Sequence, residues 1–352
     1  MNPRTTTGVW RGVIDAYRSW LPAAETIVTL HEGGTPLLAS DEVSRALGRP
    51  VWLKIEGSNP TGSFKDRGMT VAVSRAASDG ARGVICASTG NTAASAAAYA
   101  ARAGLRCVIV LPAGAVARGK LVQAVAHGAQ VVAVDGGFET ALDLAAAAAR
   151  AYGLVLVNSL NPLRLEGQMT AAFEICDVLG QAPGTLVLPV GNGGNITAYW
   201  KGFCRYHEGG RTAARPCLIG VQAEGANPLV RGTPVEHPQT VASAIRIGRP
   251  ANWDAAARAA AASGGRFMAV SDAQIIGAQR ALAAAGIFVE PAAAAGVAGA
   301  MRLDPSGLPD GDLVCVLTGH GLKDPDAVPA VEPPIIASTL DALRPVIEGG
   351  RV

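Results

Sequence analysis

Short runs of apolar and β-branched residues alternate with alanine-rich stretches along the chain from about residue 80 onward. This alternation is typical of strand, helix, strand units in an α/β sheet. Most of the runs are almost entirely apolar, as expected for parallel strands that are covered on both faces. The predicted strands are Gly83–Ala87, Cys107–Leu111, Val131–Val134, Leu154–Val157, Leu186–Val190, Leu218–Gln222, Ile287–Val289 and Leu313–Leu317.

Polar and glycine residues mark the ends of the helices between these strands. Ser271 with Gln274 has the spacing of a capping box, which satisfies two free backbone N–H groups at a helix start. Glycine is the usual residue where a helix ends in a left-handed conformation. Such helix ends are predicted at Gly104, Gly128, Gly180 and Gly286.

The predicted strands are too many for one small sheet, and no Pro- or Ser-rich linker separates them. We therefore predict two packed open-sheet α/β domains with mostly parallel strands. The large domain comprises residues 1–58 and 154–330, the smaller domain comprises residues 59–153, and residues 331–352 form a C-terminal extension. A ligand is expected in the cleft between the domains, at the carboxyl ends of the strands.

Composition narrows the class of protein. The chain has 352 residues, of which 16% are charged, and its mean hydropathy of +0.26 is typical of a globular protein. A net charge of +2 provides no broad basic surface, so nucleic-acid binding is not expected. No continuous apolar stretch is long enough for a membrane span, and the first residues, MNPRTTTGVWRG, lack the pattern of a secretory signal. The predicted compartment is the cytoplasm.

Six cysteines are scattered along the chain without a CxxC pair or a histidine at metal-ligand spacing. Several lie in apolar runs that are predicted strands, where a thiol packs as a small hydrophobic group. We predict buried free thiols and no metal site. The cysteines are Cys86, Cys107, Cys176, Cys204, Cys217 and Cys315.

The stretch GSNPTGSFKDRG at residues 57–68 places Lys65 among glycine, proline and hydroxyl residues. A lysine removed from water has a lowered pKa, and its free amine can condense with an aldehyde cofactor. Lys65 is therefore a candidate covalent nucleophile. The alternative is a surface lysine at a helix start, with Asp66 and Arg67 as ordinary charged neighbours.

A glycine- and asparagine-rich loop follows the predicted strand in LPVGNGGNITAYW. Its backbone N–H groups can converge on an anion, and the following helix start adds partial positive charge, so the loop is predicted to bind a phosphate. It matches neither the dinucleotide fingerprint nor the P-loop. A plain strand-to-helix turn is the alternative. The loop residues are Gly191, Asn192, Gly193, Gly194 and Asn195.

A second polar loop, ASTGNTAAS, lies between a predicted strand and an alanine-rich helix. Its hydroxyl and N–H groups suit a carboxylate, and Asn91 could bind a ring substituent of a cofactor. A purely structural helix cap is the alternative. In a third segment, LTGHGLKDP, Thr318 ends a strand, and its hydroxyl suits a neutral pyridine nitrogen; a plain strand-end cap is the alternative.

Taken together, six segments resemble the bacterial threonine synthases, which are pyridoxal phosphate enzymes of the tryptophan synthase β-chain fold, known as fold type II. They lie between residues 57 and 325. The segments are GSNPTGSFKDRGMT, CASTGNTAASAAAYAARAG, NSLNPLRLEGQ, LPVGNGGNITAYWKG, AIRIGRPANW and TGHGLKDP.

The resemblance implies a role for each candidate residue. Lys65 would form the internal aldimine with pyridoxal 5'-phosphate, and Asn91 would contact the phenolic oxygen of the cofactor. The loop from Gly191 to Asn195 would bind the cofactor phosphate, and Thr318 would face the pyridine nitrogen. The residues implied to bind the substrate are Ser88, Thr89 and Thr92 at its carboxylate and Asn158, Ser159 and Arg164 at its phosphate.

The activity that the resemblance implies is conversion of O-phospho-L-homoserine and water into L-threonine and phosphate, in a homodimer. Lys65 would remove the Cα proton, and departure of phosphate would require the anion site at Arg164. A serine or threonine dehydratase on the same fold is the closest alternative, since it needs no second phosphate site. A non-catalytic protein that binds the cofactor or an amino acid is the alternative from another class.

Overall fold

The computed structural model describes residues 9–113, 118–328 and 332–348, with no account of the side chains of residues 118–120. Most of MNPRTTTGVWRG, which carried the prediction about a secretory signal, lies outside these residues. The strands are β1 (Leu37–Ala39), β2 (Val51–Ile55), β3 (Gly83–Ala87), β4 (Arg106–Pro112), β5 (Gln130–Val134), β6 (Val155–Leu156), β7 (Thr185–Pro189), β8 (Cys217–Ala223), β9 (Arg266–Val270) and β10 (Leu313–Leu317).

Helices alternate with these strands over most of the chain. They are α1 (Val13–Ala16), α2 (Asp41–Leu47), α3 (Lys65–Ser78), α4 (Asn91–Ala103), α5 (Arg118–Ala126), α6 (Phe138–Tyr152), α7 (Pro162–Gln168), α8 (Thr170–Leu179), α9 (Gly194–Glu208), α10 (Pro228–Arg231), α11 (Trp253–Ala262), α12 (Asp272–Ala284), α13 (Pro291–Ala300) and α14 (Leu340–Ile347).

The strands form two open sheets. The larger sheet has the order β1-β2-β10-β7-β8-β9, in which β1 alone pairs antiparallel, and the smaller sheet has the order β5-β4-β3-β6 with parallel pairs throughout. Every residue of β3, β7, β8 and β10 is buried, because helices cover both faces of these central strands. The prediction of an α/β fold with two mostly parallel sheets is confirmed.

Seven of the predicted strands are present, with small differences at their ends. The strand predicted at Ile287–Val289 is wrong, because these residues only connect α12 to α13 and Val289 makes a single isolated bridge with His320. Sequence analysis missed β1 and β2, which precede the alternating pattern, and β9, which begins with an exposed arginine. The capping box is confirmed, since Gln274 N donates to Ser271 Oγ and Ser271 N donates to Gln274 Oε1.

The smaller sheet contains the strands from residue 83 to residue 156, and the larger sheet contains those before and after them. Strand β6 belongs to the smaller sheet although it lies beyond the domain boundary predicted after residue 153. The boundaries of the two domains stay a prediction. At the C-terminal end, α14 has no buried residue.

The core lies between the sheets and their helices, and α13 is its most buried helix, with every residue inaccessible where it contacts β7, β8 and β10. All six cysteines are free, and five are buried, so the packing interpretation is confirmed for those five, while Cys204 is half-buried. Within the described ranges, no group of His, Cys, Asp and Glu side chains could hold a metal ion. Over the same ranges, no helix combines the length and apolar character needed to cross a bilayer.

Candidate active site

Lys65 is the first residue of α3, and the chain before it is held against the end of β10. Phe64 N donates to the carbonyl oxygen of Thr318 at 3.1 Å, and Ser63 forms a bridge with Gly319. The Lys65 ammonium lies 4.2 Å from the centre of the Phe64 ring. No described residue accepts a hydrogen bond from it. The fold thus brings Lys65 and Thr318, 253 positions apart in the printed sequence, to the same place.

The amine of Lys65 is electrostatically prepared to act as a nucleophile or a base. Burial, and after it the nearby charge of Arg164, lower its pKa to about 7, while Glu290 acts in the opposite direction. At neutral pH a large fraction of the amine is therefore unprotonated. This favours the interpretation of Lys65 as a covalent nucleophile over that of a solvated surface lysine.

A close crossing of α3 and α7 places Arg164 near Lys65. A Cβ atom at Gly68 would lie 2.6 Å from the carbonyl oxygen of Arg164, and one at Gly167 would overlap the carbonyl oxygen of Arg67. Each helix therefore needs a glycine where its backbone meets the other. The two glycines in KDRG and LEGQ are the sequence signal for this contact, which was not among the predictions.

Arg164 is a buried cation without a matching anion. It is 1% exposed, its Nη1 donates to the carbonyl oxygen of Val157 at 2.6 Å, and its Nε has no hydrogen-bond partner. No carboxylate in the described residues forms an ion pair with it. Burial lowers its pKa to about 10, against the smaller opposing effects of Cys86 and Asp66. An isolated buried charge is costly, so this arrangement fits a site that an anionic ligand completes.

The residues predicted beside Arg164 lie in the loop before α7. The Asn158 amide accepts from Ala87 N at 2.9 Å and donates to the Ala87 carbonyl oxygen at 2.8 Å. This amide therefore ties the loop to the end of β3, while Ser159 next to it is half-buried. The predicted roles of both residues toward a substrate phosphate stay predictions. The side chains of Arg118 and Lys120 lie outside the described part of the chain.

The loop after β3 presents hydroxyl groups at the start of α4. Ser88 Oγ accepts from Gly90 N at 3.2 Å, and Thr89 and Thr92 are half-buried. Asn91 is the first residue of α4, and its Nδ2 donates to Glu290 Oε1 at 3.0 Å. The first turn of a helix as long as α4 has free N–H groups and partial positive charge, which suit an anion.

The segment from Gly191 to Asn195 connects β7 to the 15-residue helix α9, and its last two residues, Gly194 and Asn195, are the first residues of that helix. Gly193 has a φ of 79°, and a Cβ atom there would lie 2.9 Å from that of Ala256, so both conformation and space require glycine. Two amide nitrogens beside the loop, Asn195 Nδ2 and Asn252 Nδ2, are buried without a hydrogen-bond partner. Buried donors of this kind normally have acceptors, so the loop residues fit the phosphate of a bound cofactor.

Thr318 directly follows β10 and is 5% exposed. Gly319 after it lies against Glu290, because a Cβ atom at Gly319 would overlap the Glu290 carboxylate. Sequence analysis missed Glu290, which is 3% exposed and stands immediately before the buried helix α13. The signal was an acidic residue next to an entirely apolar helix, in EPAAAAG.

A second set of buried charges surrounds the next turn of α3. The Arg67 side chain donates to both oxygens of Glu56 and both oxygens of Glu174, at 2.6 to 2.8 Å. Lys54 Nζ donates to Glu174 Oε2 at 2.7 Å. Burial alone would raise the pKa of Glu174, but Arg67 and Lys54 outweigh it and hold that pKa below the usual range. This network joins α3 to β2 and α8.

A cleft of about 380 Å³ opens beside the residues before Lys65. It is lined by Asn59, Thr61 and Gly62 on one side, by Gln123 of α5 on another, and by His320 and Lys323 after β10. His320 Nδ1 accepts from Leu322 N at 3.2 Å, and Lys323 Nζ donates to Gln123. His320 and Lys323 are therefore engaged in local contacts.

Comparison with known proteins agrees with this geometry. A family model described as "Pyridoxal-phosphate dependent enzyme" matches residues 28–319. Among solved structures, the threonine deaminase of T.th. has a TM-score of 0.70 at 25% identity, over 85% of this chain and 94% of that chain. Maize serine racemase has a TM-score of 0.70 at 21% identity, over 82% of this chain and 88% of that chain, a likeness of fold alone. The class of protein is thus a pyridoxal-phosphate-dependent enzyme of fold type II.

Curated relatives narrow the family. The threonine synthase of Mycobacterium tuberculosis is 54% identical over 341 residues, which are 94% of this chain and 95% of that protein. Those of Synechocystis sp. and Methanocaldococcus jannaschii are 54% and 48% identical, over 92% and 97% of this chain and 86% and 87% of each protein. The chain belongs to the threonine synthase family.

Proposed function

We propose that this chain converts O-phospho-L-homoserine and water into L-threonine and phosphate, with pyridoxal 5'-phosphate as its cofactor. Membership of the threonine synthase family supports the reaction. The observation that carries the proposal is a set of buried donors without partners at two places, namely beside the loop at residues 191–195 and at Arg164, whose charge acts on Lys65. The first suits the cofactor phosphate, and the second suits the phosphate that leaves the substrate.

The bound cofactor supplies an electron sink for the negative charge that develops on substrate carbon atoms. The residues of this chain would hold it at four points. Lys65 would bind its aldehyde carbon, the loop Gly191–Asn195 its phosphate, Asn91 its phenolic oxygen and Thr318 its pyridine nitrogen. A hydroxyl at Thr318 suits a neutral nitrogen, because unlike a carboxylate it does not stabilise a positive charge there.

Lys65 would also move the protons of the reaction. A base is most effective when its pKa lies near the working pH, and the pKa of Lys65 is about 7. No described residue ties up the amine, so once the amino group of the substrate has replaced it at the aldehyde carbon, Lys65 would take the Cα proton of the substrate and return it later. The hydroxyl groups of Ser88, Thr89 and Thr92, at the start of α4, would orient the substrate by binding its carboxylate.

Arg164 would bind the substrate phosphate and stabilise it as it departs. The free Nε and the cationic guanidinium supply charge-assisted donors in a water-poor site, where such donors act most strongly. Ser159 lies in the loop before α7, and Asn158 would act by holding that loop to β3 as well as by any direct contact. A dehydratase acting on free serine or threonine has no use for this second site.

The test replaces Arg164 by alanine and measures phosphate and threonine release from O-phospho-L-homoserine, with deamination of L-serine and L-threonine as a comparison. We expect kcat/KM for phosphohomoserine to fall about 10²–10³-fold, the usual effect of removing a charged transition-state donor. Deamination should change little. The matched control is Arg205→Ala, which removes a half-exposed arginine paired with Glu166 and should leave both activities intact.

Two outcomes would favour the alternatives. The dehydratase would be favoured if the parent chain deaminated free serine or threonine as fast as it converts phosphohomoserine, and if Arg164→Ala did not change the rate of deamination. Binding of the cofactor without turnover of any of these substrates would favour a non-catalytic binding protein.

We also propose that the protein is a cytoplasmic homodimer of chains with two packed domains, and that it binds no nucleic acid. The resemblance to bacterial threonine synthases supports the dimer, as do exposed apolar side chains on and before α14, among them Ile335, Leu340 and Ile347. Light scattering on the full chain tests the dimer, and a monomeric mass at micromolar concentration would contradict it.

A further inference from the structure

Glu290 is a buried carboxylic acid held rigidly at the start of α13. It is 3% exposed, its backbone N–H donates to the Gly319 carbonyl oxygen at 3.2 Å, and its own carbonyl oxygen accepts from Ala293 N at 2.9 Å. Val289 before it forms a bridge with His320. The carboxylate is therefore fixed to the loop that follows β10, next to Thr318.

The carboxylate faces the groups predicted to bind the cofactor. Its Oε1 accepts from Asn91 Nδ2 at 3.0 Å, and this is its one side-chain hydrogen bond among the described residues. No described cation forms an ion pair with it. Gly319, whose carbonyl oxygen accepts from Glu290 N, also forms a bridge with Ser63, two residues before Lys65, so the Lys65 segment and Glu290 meet at one residue. Lys65 and Lys323 contribute positive charge there, Asp324 contributes negative charge, and His320 stands on the adjoining loop.

An ionised carboxylate can only accept hydrogen bonds, whereas an amide can present either its oxygen or its nitrogen. In its ionised form Glu290 therefore selects one orientation of Asn91, with the NH2 group directed to the carboxylate. An NH2 group has two hydrogens, and the interaction with Glu290 uses one. The second remains available to donate to a phenolic oxygen in the cleft.

We propose that Glu290 is a positioning residue of the active site, which orients Asn91 toward the cofactor's phenolic oxygen and supplies the negative charge that opposes deprotonation of Lys65. The inference rests on the proposed function only for its kinetic readout, since the contacts and the charge of Lys65 are properties of the chain itself.

The electrostatics of the two groups agree with this arrangement. Burial raises the pKa of Glu290 to about 7, against the opposing effects of the Asn91 hydrogen bond and of Lys323, with a smaller lowering by Lys65. Because Lys65 also titrates near pH 7, each of the two groups changes charge in the range in which it influences the other.

The first experiment measures the charge of Lys65 without the cofactor. The rate at which an amine-acetylating reagent modifies Lys65 is followed against pH by peptide mass spectrometry in the cofactor-free chain. Glu290→Gln keeps the side-chain length and removes the charge, so the pH midpoint of Lys65 should move down by about one unit. Glu290→Asp keeps the charge and should leave the midpoint within about 0.3 units of the parent value.

The second experiment tests whether Glu290 acts through Asn91. In a double-mutant cycle, Glu290→Gln and Asn91→Ala should each lower kcat about tenfold with KM little changed, and the double variant should be no worse than Asn91→Ala alone. The cofactor's visible absorbance spectrum, titrated with pH, should show the same lack of additivity. Effects that add independently would overturn the positioning role.

The matched control is Glu32→Gln. Glu32 is fully buried and accepts from Tyr99 Oη at 2.8 Å, so its loss should lower the melting temperature without moving the Lys65 midpoint. An unchanged Lys65 midpoint in Glu290→Gln would contradict the proposal, even in an active threonine synthase. A shifted midpoint in a chain inactive on phosphohomoserine would support the inference and contradict only the proposed function.

Discussion

Two groups of buried charged side chains lie close together along α3 and its neighbours, and they differ in how their charges are matched. Around Arg67, two cations face two carboxylates, and both oxygens of Glu56 and of Glu174 accept from the Arg67 guanidinium. Around Lys65, the amine and the guanidinium of Arg164 have no carboxylate within ion-pair distance in the described residues.

The difference separates structural charges from functional ones. A buried pair with full hydrogen bonding is complete in the folded chain, so its role is to hold α3 against β2 and α8. Buried cations without anions are costly in the chain alone and become favourable when a ligand brings the missing charge. The two sides of one helix start thus perform different tasks: Arg67 fixes the position from which Lys65 acts.

The largest expected effect comes from the unmatched group. Lys65→Ala should abolish turnover, with a loss of about 10⁴-fold or more, because it removes both the cofactor attachment point and the base. Stability of the cofactor-free chain should change by less than about 1 kcal/mol, since no hydrogen bond of the amine is lost. Visible absorbance with added cofactor measures cofactor attachment, threonine release measures turnover, and urea unfolding measures stability. If Lys65→Ala retained both the cofactor absorbance and turnover, the assignment of Lys65 as a functional charge, in contrast to Arg67, would be wrong.

The next effect belongs to the matched group. Arg67→Met leaves Glu56 and Glu174 buried with too little positive charge, so the free energy of unfolding should fall by about 3–5 kcal/mol. Urea unfolding followed by circular dichroism measures it. Arg75→Met is the control, because Arg75 forms an exposed pair with Asp79 and should cost almost nothing. If Arg67→Met lowered the free energy of unfolding no more than Arg75→Met does, the structural role of Arg67 would be contradicted.

The smallest expected effect is the change in stability of Arg164→Met, and it contrasts most clearly with that of Arg67→Met. Arg164 is as deeply buried as Arg67, yet the free energy of unfolding of Arg164→Met should stay within about 1 kcal/mol of the parent value. The reason is that the loss of the hydrogen bond to Val157 is offset by the removal of an unmatched buried charge. Inorganic phosphate should raise the melting temperature of the parent chain more than that of the variant. Equal stabilisation of both by phosphate would show that Arg164 is not the anion site.

The sequence alone predicted the α/β class, seven of the strands and the loops that carry the candidate chemistry. These features are local: hydrophobic periodicity defines a strand or helix within a few residues, and parallel strands bring their carboxyl ends to one edge. Strands β1 and β2 were not predicted because they precede the alternating pattern. The strand at Ile287–Val289 was wrongly predicted because a short apolar run between two helices resembles a strand.

Only the tertiary structure decided which charges are matched. The crossing at Gly68 and Gly167 places Arg164 beside Lys65, and the Asn91–Glu290 hydrogen bond joins residues 199 positions apart. The pKa of a buried group depends on burial and on charges within several ångströms, and those neighbours come from distant parts of the chain. Residue types and motifs determined what chemistry was available, whereas packing determined that, among the described residues, Arg67 has carboxylate ion-pair partners and Lys65 and Arg164 have none.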